Sequence, residues 1–310
     1  MASGRRDGLG ALLDRPTPST WDQFLASPIS FLARVVYGWS SSLHAGEVVP
    51  NNAITIVCIS DTHMSKPDIP DGDILLHAGD LTQSGMKAEI QETVDWLNTL
   101  PHQHKIIIAG NHDTFLDSSY STGQILSASC TPRESIDWGN VTYLENTTVT
   151  VESAGRKINV SGSPWSPRHG NWAFQHPRRE NVWEDAIPPN IDILITHTPP
   201  KAHLDLNWGC DFLLKELWRL PKRPYLHVFG HVHGGYGQHV AIFDSCQLQY
   251  ESIMKGTTNV AELMGLVYRY LKSRFFSART ISGSRTIMVN ASIVGGPRDE
   301  LRREPAIVYI

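Results

Sequence analysis

The stretch ITIVCISDTH, residues 54–63, decides how the rest of this sequence is interpreted. Its first six residues form a mostly apolar run and predict a strand, whereas Asp61 and His63 follow directly after that run. In an α/β sheet the carboxyl ends of the strands open onto one crevice. The stretch therefore predicts a strand that delivers a carboxylate and an imidazole to a functional site.

Four further strand candidates are each followed by Asp, Asn or His. They are the runs 73–77, 105–109, 191–196 and 226–229. Because strand ends of one sheet open onto the same crevice, we expect the polar side chains to converge there. The converging set is Asp61, His63, Asp80, Asn111, His197, His231 and His233.

The wider pattern alternates short apolar runs with helical stretches from residue 53 onward. The first half predicts βαβ units, residues 141–161 predict antiparallel strands, and the whole predicts a mostly single α/β domain with sheet packed on sheet and helices outside. Helix candidates are 86–99, 211–219 and 256–276. The remaining strand candidates are 141–144, 148–152, 157–161, 238–243, 286–291 and 305–309.

Composition excludes several classes of protein. The chain has 310 residues, 41% of them hydrophobic, with 27 Lys and Arg against 31 Asp and Glu. These values are typical of a globular domain and exclude a mainly disordered, collagen-like or disulfide-scaffold chain. A net charge of −4 does not by itself imply a basic face for duplex nucleic acid, and no such partner is expected. Fourteen histidines are unusually many, and histidine is the commonest metal ligand.

The converging side chains offer oxygen and nitrogen donors and no thiolate. Such a set suits manganese, iron or zinc in a reactive centre better than a structural zinc. Seven donors exceed what one ion needs. Two ions about 3.5–4 Å apart that share one carboxylate would use all of them. Asp80 is the natural bridge, because it lies between the clusters in chain order.

Five motifs carry a family resemblance: DTH at 61–63, GDLT at 79–82, GNHD at 110–113, HTPP at 197–200 and GHVH at 230–233. Together and in this order they resemble the calcineurin-like metallophosphoesterase superfamily, over roughly residues 54–310. Residues 230–237 and 289–292 look like its MPPED-type subgroup of metallophosphoesterase-domain proteins, the class III phosphodiesterases. The resemblance implies an α/β fold, a four-layer αββα sandwich of two mixed sheets.

The resemblance also implies a ligand set for each of two divalent ions. Manganese is expected, with iron, zinc and magnesium as alternatives. A hydroxide that bridges such ions is a nucleophile near neutral pH. His112 is no ligand in the family pattern; it would face the phosphate and either donate a hydrogen bond to it or protonate the leaving oxygen. The implied ligands are Asp61, His63, Asp80 and His233 for one ion, and Asp80, Asn111, His197 and His231 for the other.

The sequence departs from the protein phosphatases of this superfamily. Those enzymes carry Asp-Arg-Gly after the GD motif, whereas this chain has Gln83-Ser84-Gly85. The arginine that grips phosphate is absent, which argues against a phosphoprotein phosphatase. The leading hypothesis is therefore a hydrolase, a phosphodiesterase for small phosphoesters such as cyclic nucleotides. The alternatives are a phosphomonoesterase for a nucleotide or other small phosphate ester, and a non-catalytic protein-binding scaffold.

Domain organisation is expected to be an N-terminal extension, residues 1–50, and a metallophosphoesterase domain, residues 51–310, with a helical insertion at about 244–285. The insertion borders either the mouth of the site or an interface. Its helix 256–276 is interpreted as a surface helix, with peripheral membrane contact as the alternative. No run of 18 apolar residues predicts a transmembrane span. Oligomeric state stays open.

Several other features have two interpretations. The loop 163–180, with its tryptophans and basic residues, either stacks a base and holds a phosphate or is an ordinary surface loop. His203 either touches substrate or is structural, and His77 and His227 are expected within strands. The four cysteines, Cys58, Cys130, Cys210 and Cys246, form no CxxC pair, and no secretory signal opens the chain. An intracellular, cytoplasmic location is the expectation.

Overall fold

The computed structural model describes residues 19–42, 52–120, 133–276, 285–296 and 300–310. Six α-helices lie within these ranges: α1 Thr20–Ala26, α2 Pro28–Ser42, α3 Lys87–Thr99, α4 Asp211–Arg219, α5 Ser245–Met254 and α6 Val260–Phe276. The strands are β1 Thr55–Ile59, β2 Ile74–Ala78, β3 His104–Ile108, β4 Val141–Tyr143, β5 Thr147–Ser153, β6 Arg156–Ser163, β7 Ser166–Pro167, β8 Gln175–His176, β9 Ile193–Thr196, β10 Leu226–Phe229, β11 Gly237–Ile242, β12 Arg285–Asn290, β13 Val294–Gly295, β14 Glu300–Leu301 and β15 Ala306–Tyr309.

Two large mixed sheets form the centre of the molecule. The first has five strands in the order β15-β1-β2-β3-β4, and the second has six in the order β11-β12-β10-β9-β6-β5. Strands β1 to β4 run parallel, and β15 pairs antiparallel at the edge. In the second sheet β6, β9, β10 and β12 run parallel, whereas β5 and β11 are antiparallel edge strands.

The two sheets pack face to face. Ile56 and Leu76 of the first sheet share one buried cluster with Val160 and Ile195 of the second. On the outer face of the first sheet, the apolar side of α3 is buried, and on the outer face of the second sheet α4 packs in the same way. The order helix, sheet, sheet, helix confirms the predicted four-layer αββα sandwich.

Strand positions agree closely with the sequence predictions, but one pairing was wrong. All eleven predicted strands are present, with ends within two residues of the predicted ones. The sequence pattern predicts antiparallel pairing for residues 141–143, yet β4 pairs parallel to β3 in the first sheet, with Lys105 opposite Val141. The chain crosses to the second sheet only after β4, because β5 and β6 form the antiparallel hairpin.

A helical cluster on one side of the sandwich was largely missed. Helices α1, α2 and α5 were not predicted, and the helix predicted at 256–276 begins only at Val260. Val36 and Tyr37 of α2 pack with Tyr250 of α5 and Leu266 of α6. Part of the predicted extension thus packs on the predicted insertion, whereas residues 1–18, 43–51 and Cys130 lie outside the described residues.

Helix α6 is a surface helix. Leu266 is buried, whereas Met264, Tyr268 and Leu271 are exposed on the outer side. Among the described residues no helix is both long and apolar enough to cross a membrane. Contact of the outer side of α6 with lipid stays a prediction.

Candidate metal centre

Two groups of potential metal ligands lie at the carboxyl ends of the parallel strands. One ligand atom from each of Asp61, His63, Asp80 and His233 lies within 4.8 Å of the others. The same holds for Asp80, His197 and His231. Asp80 belongs to both groups, as a bridging carboxylate would.

Asn111 lies beside the second group. Its Oδ1 is 3.0 Å from His197 Nε2, and His197 Nε2 is 3.4 Å from Asp80 Oδ1. His197 comes from the second sheet and Asp80 from the first, and His197 Nδ1 contacts the Ala78 carbonyl at 2.9 Å. The structure therefore brings all seven predicted ligands to one place, between the ends of the two sheets.

Electrostatics of the site favour ionised carboxylates. Burial alone would raise the pKa of Asp80, but His197 and His63 hold that pKa well below its usual value. The pKa of Asp61 is also lowered, because burial would raise it but the nearby His233 outweighs this effect. Conversely, Asp80 overcomes burial and raises the pKa of His197 to about 9. The buried carboxylates thus depend on nearby positive charge, which a cation would also supply.

The orientation of His63 fits a metal ligand. Its Nδ1 lies 3.2 Å from the Thr82 carbonyl oxygen, which only accepts, so Nδ1 carries the proton. The other ring nitrogen, Nε2, is buried without a hydrogen-bond partner and lies 3.8 Å from Asp80 Oδ2. A buried imidazole lone pair that no donor satisfies, aimed at a carboxylate, suits a divalent cation.

The backbone at the ligands is held in an unusual conformation. Asp61, His63, Asp80 and His231 all have positive φ, between 44° and 66°. Residues other than glycine rarely adopt this left-handed backbone conformation, because it costs conformational energy. Residues held in it are typical of functional sites. Gly110 allows the close packing there, because a Cβ atom on it would overlap the carboxylate of Asp80.

Two residues that support the site were not predicted. Asp113 accepts hydrogen bonds from the backbone N–H of Gly110, Leu81 and Thr82, at 2.7–3.1 Å, and so ties the GD and GNHD loops together. Burial and the nearby charge of Asp80 raise the pKa of Asp113 to about 6. Ser292 donates to Asp61. The signal for both was their place in motifs already noted, GNHD and residues 289–292.

His112 lies beside the metal ligands but belongs to neither group. Its backbone N–H donates to Asp80 Oδ1 at 2.8 Å, and its Nδ1 lies 2.9 Å from the Gln83 carbonyl oxygen. The imidazole contacts His63 edge-on, with ring centroids 4.6 Å apart, and stacks on Trp172 at 4.3 Å. His112 is therefore anchored on one side and half-buried at the mouth of the site.

Histidines outside the ligand groups are structural or lie at the edge of the site. His77 and His227 are buried within β2 and β10, where burial lowers the pKa of each to about 3. His203 does not reach the site, because it is fully buried between His239 and Glu251. Cys58, Cys210 and Cys246 are buried thiols.

This chain belongs to the calcineurin-like phosphoesterase family. The family model described by that name, Metallophos, matches residues 54–235, which include all the ligands. The relatives described next support the predicted MPPED-type subgroup. The predicted membership is confirmed, and family and ligand cluster together support a divalent metal centre.

Three known proteins have sequences similar to this chain. "Metallophosphoesterase domain-containing protein 1" of Homo sapiens is 38% identical over 212 residues, covering 61% of this chain and 63% of that protein. "UPF0046 protein K07C11.7" of Caenorhabditis elegans is 36% identical over 203 residues, covering 59% and 65%. "Probable rhamnogalacturonate lyase C" of Emericella nidulans is 47% identical over 308 residues, covering 98% of this chain but 29% of that protein. The chain thus spans less than two thirds of the length of each of these three relatives.

A solved structure is also similar at low identity. Phosphopantetheinyl hydrolase from Mycobacterium tuberculosis shares 15% of its sequence with this chain, with a TM-score of 0.41 over 84% of this chain and 97% of that one.

Proposed function

We propose that this chain is a dinuclear metal-dependent phosphodiesterase that hydrolyses small phosphoesters such as cyclic nucleotides. The observation that carries the proposal is the position of Asp80 in both ligand groups. One shared carboxylate is what a pair of ions needs. With a full donor set in place, the geometry favours an enzyme over a scaffold.

The ligand side chains would hold the two ions in fixed positions. Asp61, His63, Asp80 and His233 would hold one, and Asp80, Asn111, His197 and His231 the other. Divalent ions bound there supply an activated water molecule and offset the charge that develops on the phosphoryl oxygens. Manganese is the proposed metal, because the donors are carboxylate, amide and imidazole groups without thiolate.

His112 would protonate the leaving group. Because Nδ1 donates to the Gln83 carbonyl, Nε2 is the nitrogen that remains for substrate. In the protonated imidazole, Nε2–H donates its proton to the leaving oxygen as the bond from phosphorus to that oxygen breaks. The ring then holds a lone pair at Nε2, and water restores the proton.

The absence of a phosphate-binding arginine at position 84 favours a diester substrate over a monoester. A phosphate monoester carries about 1.5–2 negative charges at neutral pH, whereas a diester carries about one. Ser84 stands where the protein phosphatases have their arginine, and its hydroxyl donates to Glu89 at 2.6 Å instead of reaching a phosphate. A substrate with less negative charge depends less on the phosphate-binding arginine that this chain lacks.

Hydrolysis of two model esters tests the proposal. The protein is stripped of metal, reloaded with Mn²⁺, and assayed on bis-p-nitrophenyl phosphate and on p-nitrophenyl phosphate. Asp80→Ala and His112→Ala serve as variants that lack the bridge and the proton donor. We expect metal-dependent activity that favours the diester and is lost in Asp80→Ala.

The other outcomes would redirect the assignment. A preference for the monoester would replace the proposal with a phosphomonoesterase. Absence of turnover on either ester in a protein shown to hold two ions would contradict an esterase of this specificity and favour the scaffold.

A further inference from the structure

The segment 168–174, here called the mouth loop, reaches both halves of the candidate centre. At one end His169 packs edge-on against His231, with ring centroids 4.6 Å apart. Near the other end Trp172 stacks on His112, with ring centroids 4.3 Å apart and an angle of 24° between the rings. Both contacts are made to side chains of the centre, so the loop borders the place where substrate must lie.

Hydrogen bonds fix the mouth loop to the segment that carries Asn111 and His112. Ala173 N–H donates to the Asn111 carbonyl at 3.2 Å, and Phe174 N–H donates to Asp117 Oδ2 at 2.7 Å. Tyr120 donates to the Asn171 carbonyl at 3.1 Å. The loop is thus held in place before any substrate arrives, and a side chain on it can act as a preformed binding surface.

Trp172 is exposed where a packing role would bury it. It keeps 38% of its surface accessible, whereas Trp183 in the core keeps 1%. One side of the indole lies on His112, the proposed proton donor, so a leaving group that takes its proton from His112 would lie close to this ring. Exposed aromatic rings at such positions bind nucleobases and other planar groups by stacking.

We propose that Trp172 determines substrate specificity by stacking on a planar group of the ester, a nucleobase or another aromatic ring. This inference rests on the proposed function for the position of the phosphate. The competing role is that Trp172 only positions His112. The two roles differ in what they change: recognition changes the affinity for planar ligands alone, whereas positioning of the proton donor lowers kcat, most of all on esters with poor leaving groups.

Binding of reaction products tests the inference without turnover. Adenosine 5′-monophosphate and ribose 5-phosphate are titrated into the Mn²⁺-loaded protein in a calorimeter. The wild type should bind the nucleotide about 5- to 150-fold more tightly than the sugar phosphate, as expected for one stacked base. Trp172→Ala should remove this preference, and Trp172→Phe should keep most of it. Trp21→Ala, which removes an exposed tryptophan of α1, is the matched control and should change nothing.

Kinetics separate recognition from positioning. In Trp172→Ala we expect a higher KM for bis-p-nitrophenyl phosphate with a similar kcat, and no change for glycerophosphoethanolamine, a diester without a ring. A fall of kcat on glycerophosphoethanolamine without a rise of KM for bis-p-nitrophenyl phosphate would overturn the inference, because it would show that Trp172 only positions His112. A nucleotide preference that survives Trp172→Ala or is absent from the wild type would overturn it too. If no ester is hydrolysed but the preference still depends on Trp172, the proposed function fails and the recognition role stands.

Discussion

Ser292 Oγ donates a hydrogen bond of 2.7 Å to Asp61 Oδ2, although 231 positions separate the two residues in the sequence. Asp61 follows β1 of the first sheet, and Ser292 follows β12 of the second. Asp61 also accepts from the backbone N–H of His231, at 3.0 Å. The orientation of this predicted ligand is therefore set from the opposite sheet.

Loss of that hydrogen bond should weaken metal binding. In Ser292→Ala, Asp61 keeps its charge and the hydrogen bond from His231 N–H, but its Oδ2 loses the shorter bond from the Ser292 hydroxyl. We expect Mn²⁺ affinity to fall about 10- to 100-fold, as for other groups that orient a ligand. Calorimetric titration of the stripped protein measures it. Ser153→Ala, an equally buried serine at the end of edge strand β5, is the control, and equal affinities in both variants would refute the role.

Replacement of the shared carboxylate should weaken metal binding at both ligand groups. Asp80→Asn keeps the shape of the side chain and the oxygen that accepts from His112 N–H, but it removes the charge. We expect bound Mn²⁺ to fall from about two ions per chain to fewer than about one. Elemental analysis of dialysed protein gives the ratio. Asp95→Asn on the surface of α3 should retain full loading, and full loading in Asp80→Asn would disprove the bridge.

His112 should matter most for esters with poor leaving groups. A p-nitrophenolate ion leaves without help, whereas an alkoxide needs a proton. We expect His112→Ala to lower kcat by about 100- to 10,000-fold on an alkyl diester, and by much less on the p-nitrophenyl ester. Metal content should be unchanged. Equal losses on both esters would argue against proton donation by His112.

Buried His227 should make the fold less stable in mild acid. Burial, together with charge on His203, lowers its pKa to about 3. Thr196 donates its hydroxyl proton to the Thr198 carbonyl and so accepts from His227 Nε2–H, which fixes the neutral ring. Above about pH 6.5 neither the folded nor the unfolded chain protonates this residue, whereas below it only the unfolded chain does.

Urea unfolding at several pH values measures this effect. Between pH 6.5 and 4.5 the wild type should lose up to about 1.4 kcal/mol per pH unit more stability than His227→Gln. Between pH 7.5 and 8.5 the difference between the two proteins should be constant. Parallel losses in mild acid would show that His227 titrates normally in the folded chain.

Tyr37 should stabilise the helical cluster without taking part in catalysis. Its ring stacks on Tyr250 at 4.0 Å, and its hydroxyl donates to Gln247 Oε1 at 3.0 Å. We expect Tyr37→Phe to cost about 1 kcal/mol of stability and Tyr37→Ala about 3–5 kcal/mol. Thermal unfolding measures the loss. A change in KM or kcat in Tyr37→Phe would instead link α2 to the site.

The core of the fold was predictable because buried strands leave a strong signal. Runs such as 54–59 and 105–109 are apolar throughout, and their ends are marked by Asp, Asn or His. The pairing of β4 was not predictable in this way. Periodicity places a residue within a strand but does not say which sheet the strand joins.

The N-terminal helices left local signals in the sequence. Pro28 stands at the first position of α2, and Ser19 with Asp22 forms a capping box at α1. The apolar residues of α2 include buried Ala33, Val36 and Tyr37, but also exposed Leu32 and Trp39. Contacts of the mouth loop were beyond prediction, because they depend on where a loop folds back in space.

His63 combines a left-handed backbone with a buried nitrogen that no protein group satisfies. Each feature opposes folding of the metal-free chain, by an amount on the order of 1–3 kcal/mol. Substitution by glycine would relieve both while it removes a donor. A screen of variants for thermal tolerance alone, without any assay of activity, should therefore enrich changes at this position. Selection for thermal stability would favour the loss of His63, whereas selection for metal binding would favour its retention.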